Sequence, residues 1–362
     1  MADCIIVGAG ISGVMTALEL QRAGADVLLL ESGKVGGEAS WAGGGIISPL
    51  YPWRYPDAVT RLAQYSQQHY PALLDTLQLE SGIDPQYTKN GLLMLDKDET
   101  TPALEWAKRW QVDMQLLDQD SLHACEPILN PDFEQGLWMP QVAQLRNPRL
   151  VKAMRATLDS RRIAVREHTA VTSLKVQHNK IQGVAAGDEF FSAERVVITG
   201  GAWSGRILKQ LKIDSTIEPV KGQMILLRGM PEQVKRIVLS DDHYIIPRRD
   251  GRILVGSTLE YTEFKKELTQ SARDELYQAA IEIMPSLATL DIEHHWAGLR
   301  PGTKNGVPYI GCHPQVEGLF FNAGHFRNGV VLGLASATLL ADIILQRDAL
   351  FDPMDYGIEA EH

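Results

Sequence analysis

Three glycines, Gly8, Gly10 and Gly13, constrain this chain more tightly than any other feature, because of what surrounds them. Cys4, Ile5, Ile6 and Val7 precede them as an unbroken apolar run, the pattern of a central strand covered on both faces. Val14, Ala17 and Leu18 follow at helical spacing, and Gly24 supplies the stop. Val27 to Leu30 then form a second strand that closes on Glu31, about 20 residues past the glycines. The stretch from Asp3 to Glu31 is thus a βαβ unit with a dinucleotide fingerprint. In such a unit Gly8 makes the tight turn, Gly10 lets the backbone approach a pyrophosphate, and Gly13 lets the helix touch the strand. Glu31 is placed to accept from an adenosine ribose. The fingerprint alone does not choose between NAD and FAD.

The remainder reads as α/β with a second domain, since 362 residues exceed one typical domain and no 20–50 residue repeat is visible. Helices are expected over 57–80, 102–110 and 271–284, and strands over 91–96, 195–199, 220–227, 244–247, 253–255 and 294–299. Pro127, Pro131 and Pro140 predict an irregular stretch, and 164–191 is strand-rich. The strand 195–199 ends in Gly200-Gly201 and resembles a return to the first domain. A discontinuous division follows, with 1–85, 146–215 and 297–362 in a Rossmann-like domain and 86–145 and 216–296 in an α+β domain built on an antiparallel sheet.

Charge and cysteine usage exclude several function classes. A net charge of -10 with no Lys/Arg run opposes a phosphate backbone, so nucleic acid is not an expected partner. Cys4, Cys125 and Cys312 follow neither disulfide nor metal spacing, and no leader-like segment opens the chain, which together predict a reduced cytoplasmic protein. The apolar segment 329–341 is short for a membrane span and is expected as a buried helix. His294 and His295 are neighbours on a strand and point to opposite faces, so no metal site is assigned. Arg161-Arg162 and Arg248-Arg249 are expected as surface or ion-pair residues.

Beyond the fingerprint, several segments recur in the order of a known family. They are Ser40-Trp41-Ala42-Gly43-Gly44-Gly45-Ile46-Ile47-Ser48-Pro49, Pro219-Val220-Lys221-Gly222, Tyr244-Ile245-Ile246-Pro247-Arg248-Arg249, Trp296-Ala297-Gly298-Leu299-Arg300-Pro301-Gly302-Thr303 and Ala323-Gly324-His325-Phe326-Arg327-Asn328-Gly329. On these the chain resembles the FAD-dependent D-amino-acid oxidase superfamily, and within it the glycine oxidases of thiamine biosynthesis, the ThiO type. The resemblance implies the fold of that family and noncovalent FAD, because no flavin-linking cysteine stands near Gly302 or Thr303. It further implies that Ile11, Ser12, Glu31, Ser32, Ala39, Ser40, Gly44, Gly45, Ile46 and Val171 line the cofactor with His325, Phe326, Arg327, Asn328, Gly329, Val330 and Val331.

The same resemblance assigns Arg300 to the substrate carboxylate, Tyr244 to a hydrogen bond with it, and Arg327 to either substrate or cofactor. A planar guanidinium fork suits a carboxylate, which supports the first of these. Ile46, Tyr244 and Leu259 are candidate walls of a small pocket; close relatives carry methionine where Ile46 and Leu259 stand, which leaves glycine, sarcosine and small D-amino acids all open. The implied reaction is oxidative deamination with O2 as acceptor, in a homo-oligomer that serves thiazole synthase. Two alternatives remain from the residues: a D-amino-acid dehydrogenase that uses a quinone or carrier, and a tRNA-modifying flavoprotein.

Overall fold

The computed structural model describes residues 2–209 and 217–360. Its organising element is the strand Cys4–Val7, buried at every position and hydrogen-bonded in parallel on both sides, to Val27–Leu30 and to Val196–Ile198. Ile5 faces Leu28 on one side and Val196 on the other. A run without a polar face can only sit at such a centre. Leu319–Ala323 extends the sheet beyond Val196–Ile198, Tyr309–Cys312 adds an antiparallel edge, and Ala164–Arg166 closes the opposite edge. The return predicted for 195–199 is therefore observed beside the first strand.

Helices cover this sheet. Ile11–Arg22 and Asp57–Ser81 both pack on Gly329–Ile344, bringing Met15, Leu62, Leu332 and Leu339 into one core. Asp57–Ser81 ends where Gly82 adopts a left-handed φ of 70°, which places a glycine where a side chain would be strained. Phe326–Ile344 is long and apolar enough to cross a membrane by length and composition, yet 67% of its most apolar window is buried within the protein. It is a core helix of this domain.

The second sheet has eight strands, running in order Ile292–Gly302, Glu218–Arg228, Arg252–Gly256, His243–Pro247, Ile237–Ser240, Leu92–Met94, Gln135–Met139 and Gln115–Asp118. All neighbours are antiparallel except Ile237–Ser240 with Leu92–Met94. Two expectations need correction here. The proline-marked stretch, which follows the helix Gln119–Cys125, holds a strand, Gln135–Met139, because Pro131 and Pro140 fall on either side of it rather than within it. The expected boundary at 296/297 falls inside Ile292–Gly302, which stays paired with Glu218–Arg228 as far as Gly302 opposite Glu218. The boundary at 215/216 lies outside the described residues. Ser173–Gln177, Lys180–Ala186 and Glu189–Ser192 form a separate three-stranded meander.

Candidate active site

The glycine turn sits at the carboxyl end of the central strand, where open α/β sheets bind their ligands. Gly8 has φ +105°, and a Cβ on it would stand 2.6 Å from the Thr199 carbonyl oxygen. A Cβ on Gly13 would stand 2.0 Å from the Gly8 carbonyl oxygen, so helix and turn touch backbone to backbone. The helix Ile11–Arg22 begins at Gly10 without a side-chain cap, which leaves its first-turn amides to an external acceptor. One of them is taken: the Ile11 N–H donates to Ser40 Oγ at 2.9 Å, tying the turn to the next loop.

One cavity gathers residues that are far apart in sequence. Gly10, Ile11, Ser12, Ala39, Ser40, Gly44, Gly45 and Ile46 line it with Tyr244, Arg300, His325, Phe326, Arg327, Asn328, Gly329 and Val330. Gly8, Gly13 and Val331 lie behind its wall, and Val331 is in the core. Glu31, Ser32 and Val171 also lie outside this lining. Glu31 braces the glycine turn instead, accepting the Ala9 N–H at 2.8 Å and the Gly33 N–H at 2.7 Å, with the Ser32 hydroxyl at 3.2 Å. Val171 packs half-buried against the core that contains Ile5, Val7 and Leu30.

Of the two arginines that line the cavity, Arg300 is the one without an acidic partner among the described residues. It is half-buried, and its guanidinium donates to neutral oxygens, among them Lys221 O at 3.2 Å, Thr258 O at 3.1 Å and Ser257 Oγ at 2.6 Å. Among the described residues no carboxylate pairs with it. Glu260, two residues after the Thr258 carbonyl that Arg300 holds, is itself held by Lys221 at 2.8 Å, Gln223 at 2.9 Å and Thr258 at 2.5 Å. Burial pulls the Arg300 pKa below its ordinary value, a strain that a bound anion would relieve.

Tyr244, buried at 7% exposure, aims its hydroxyl at Met224 Sδ, 3.3 Å away. A thioether is a weak acceptor, so that hydroxyl is easily redirected to a carboxylate. Arg327 lines the same cavity but is paired with Asp242 at 3.2 Å, so it is the less available cation. Leu259 is corrected as a wall: it is 47% exposed and does not line the cavity, because the chain turns outward after Thr258. Met224, Leu50 and Gly222 line it instead. Alternation along Glu218–Arg228 sets Gly222 and Met224 on one face, a signal that could have found them.

His325 is buried and neutral. Its Nε2 lies 3.0 Å from Ser336 Oγ, whose own proton goes to Gly333 O at 3.0 Å, which assigns the ring proton to Nε2. Nδ1 then faces Ser12 Oγ as acceptor at 3.4 Å. Burial drops its pKa to about 4.

Arg248 corrects a second expectation. It is 7% exposed rather than a surface residue, and it donates to Gly44 O at 2.8 Å, to Leu145 O at 3.0 Å and to Gln144 Oε1. Burial, then the positive charge of Arg146, pull its pKa down to about 10. Arg249 and Arg161 do behave as ion-pair residues, with Asp84 and Glu80 at 2.8 Å each.

The chemistry of the cavity fits an extended dinucleotide with an aromatic ring. The uncapped helix start lies at Gly10, and a second helix, Gly329–Ile344, begins at the cavity without a side-chain cap. Beside it the Asn328 Nδ2 is buried with no partner among the described residues. An unpaired buried donor on a cavity wall calls for an acceptor from the occupant.

A family described as FAD dependent oxidoreductase matches residues 3–343. A glycine oxidase of Pseudomonas aeruginosa is 45% identical over 354 residues, covering 98% of this chain and 97% of that protein. A bifunctional protein ThiO/ThiG of Synechocystis is 29% identical over 96% of this chain and 52% of its own length. The crystal structure of glycine oxidase from Geobacillus kaustophilus superposes with a TM-score of 0.93 at 26% identity, covering 100% of this chain and 99% of that one.

Proposed function

The chain belongs to the FAD dependent oxidoreductase family, and from that premise we propose that it oxidatively deaminates glycine, with sarcosine and small D-amino acids as secondary substrates. The observation that carries the reading is Arg300, a cavity guanidinium without a carboxylate partner among the described residues, beside Tyr244 and the dinucleotide cradle. In this reading the Arg300 fork takes both oxygens of the substrate carboxylate. The Tyr244 hydroxyl leaves Met224 Sδ and donates to the same carboxylate. These two contacts fix the α-carbon against the Gly44–Gly45 loop, so that orientation supplies most of the rate enhancement.

Gly10, Ser12, Ser40, Gly44, Gly45 and Asn328 would hold FAD, which would supply the acceptor for a hydride from the α-carbon and the two electrons that reduce O2 to H2O2. The substrate leaves as its imine, and water converts this to glyoxylate and ammonia. No side chain is required as general base if the amine enters neutral; burial lowers the His325 pKa to about 4, which makes that imidazole a weak base. Ile46, Met224 and Leu50 narrow the space beyond the α-carbon and favour a substrate without a long side chain. The Synechocystis relative supports thiazole synthase as the consumer of the imine. Three free cysteines support a reducing, cytoplasmic setting.

A peroxide-coupled assay tests this with glycine, sarcosine, D-alanine and D-proline, run beside a quinone acceptor. Peroxide formed from glycine is the expected result. Turnover with quinone alone, or none with any amine, would overturn it.

A further inference from the structure

Arg248 is a buried cation whose position no substrate contact explains. Its Nη2 holds the Gly44 carbonyl oxygen at 2.8 Å, while the Leu145 N–H holds the Gly45 carbonyl oxygen at 2.9 Å. The Gly44–Gly45 peptide is therefore held through its one carbonyl, and the Gly45–Ile46 peptide that follows it through its own. A trans peptide carries its N–H opposite its C=O. With the Gly44 oxygen drawn back toward Arg248, the Gly45 N–H faces the other way, and both glycines line the cavity. That N–H has no acceptor among the described residues.

The local sequence leaves the loop few other shapes. Gly45 has φ +79°, and a Cβ on it would stand 2.1 Å from Leu145 O. Asn147 holds Ser40 O at 2.8 Å, and the Ile47 N–H donates to Ala143 O at 2.8 Å. Arg248 itself is fixed by Leu145 O and Gln144 Oε1, so it cannot swing away to an acid. Glycine flexibility would otherwise let this peptide flip, turning a carbonyl rather than an amide toward the occupant.

We propose that Arg248 is a positioning residue that aims the Gly45 amide N–H into the cavity as a hydrogen-bond donor to the bound flavin ring. The inference rests on FAD binding in this cavity and goes beyond it in assigning one donor and the residue that orients it. A donor there stabilises negative charge on the ring, so it raises the reduction potential of the bound cofactor.

The test compares purified, FAD-loaded wild type with Arg248→Met and Arg248→Lys. Amide hydrogen exchange at Gly45 should slow by about tenfold when FAD binds the wild type, the effect of one added hydrogen bond. In both variants that protection should be lost, the visible spectrum of bound FAD should shift, and the reduction potential should fall. Affinity for FAD should weaken by about 3- to 10-fold, with kcat reduced and the KM for glycine unchanged. Arg248→Lys keeps the charge, yet a single nitrogen on a shorter side chain cannot reproduce the fork that holds Gly44 O through Nη2 and Leu145 O and Gln144 Oε1 through Nη1. A variant with lower thermal stability but wild-type Gly45 protection, spectrum and potential would overturn the proposal. The wild type's own FAD affinity reports separately on the family reading.

Discussion

The guanidinium of Arg300 lies against the Cα of Gly222: a Cβ built there would meet Nη2 at 2.1 Å and Nη1 at 2.2 Å. The strand pairing explains the contact, since Lys221 and Val220 stand opposite Leu299 and Arg300 on the antiparallel partner. A glycine in this strand thus serves the arginine, not the sheet.

Gly222→Ala should displace that guanidinium without touching the dinucleotide cradle. A shift of about 1 Å at a substrate-positioning group costs on the order of 100-fold in rate. Steady-state kinetics should show kcat/KM for glycine reduced by about that factor, with FAD retained through purification.

Arg300→Ala removes the carboxylate partner altogether. Truncating one side of a desolvated charged pair costs about 2–5 kcal/mol, equivalent to roughly 30- to several-thousand-fold in kcat/KM. Tyr244→Phe removes a single donor to the same carboxylate and should cost about 10- to 150-fold, on the basis of about 1.5–3 kcal/mol for a hydrogen bond to a charged group. Equal losses in the two variants would contradict the division of labour between them.

Gly13→Ala places a methyl group 2.0 Å from the Gly8 carbonyl oxygen and 2.7 Å from Thr199 Oγ1. Overpacking of this kind costs about 1–3 kcal/mol, and it moves the helix start away from the turn. Thermal unfolding should drop by several degrees, and the protein should purify without the yellow colour of FAD.

His325 imposes a pH dependence whose sign is fixed by its depressed pKa. The folded protein refuses a proton until about pH 4, whereas the unfolded chain accepts one below its ordinary value of 6.5. The contribution is absent above 6.5, and stability falls as pH drops from there toward 4. Between pH 7 and pH 5 the part of the loss due to His325 should be about 2 kcal/mol in denaturant unfolding. His295 and His313 are depressed by burial in the same direction, so the comparison with His325→Gln isolates this one residue. That variant should lose about 2 kcal/mol less over the same interval.

What the sequence revealed depended on whether chemistry was written locally. Gly8, Gly10 and Gly13 act within their own turn, and Cys4 to Val7 show their burial as an apolar run, so the first domain was readable. Arg300, Tyr244 and the residues from His325 to Val330 were reached through the family pattern, and they converge on one cavity. Arg248 was hidden because its partners are carbonyls at Gly44 and Leu145, which leave no charge pattern. Arg248 stands one residue beyond the strand His243–Pro247, where the alternation that starts from Tyr244 and Ile246 would continue. Gln135–Met139 was masked by flanking prolines that bound the strand rather than interrupt it. Leu259 was misplaced because the outward turn after Thr258 depends on contacts with Lys221 and Gln223, far away in sequence.

The central claim is that this cavity holds FAD and oxidises glycine held by Arg300. Anaerobic mixing of the FAD-loaded protein with glycine, followed by admission of O2, tests it most directly. The account predicts that glycine bleaches the visible flavin absorbance, that O2 restores it with release of peroxide, and that Arg300→Ala bleaches more slowly by roughly 30-fold or more. An absorbance untouched by glycine in the wild type, or bleaching at equal rates in both proteins, would contradict it.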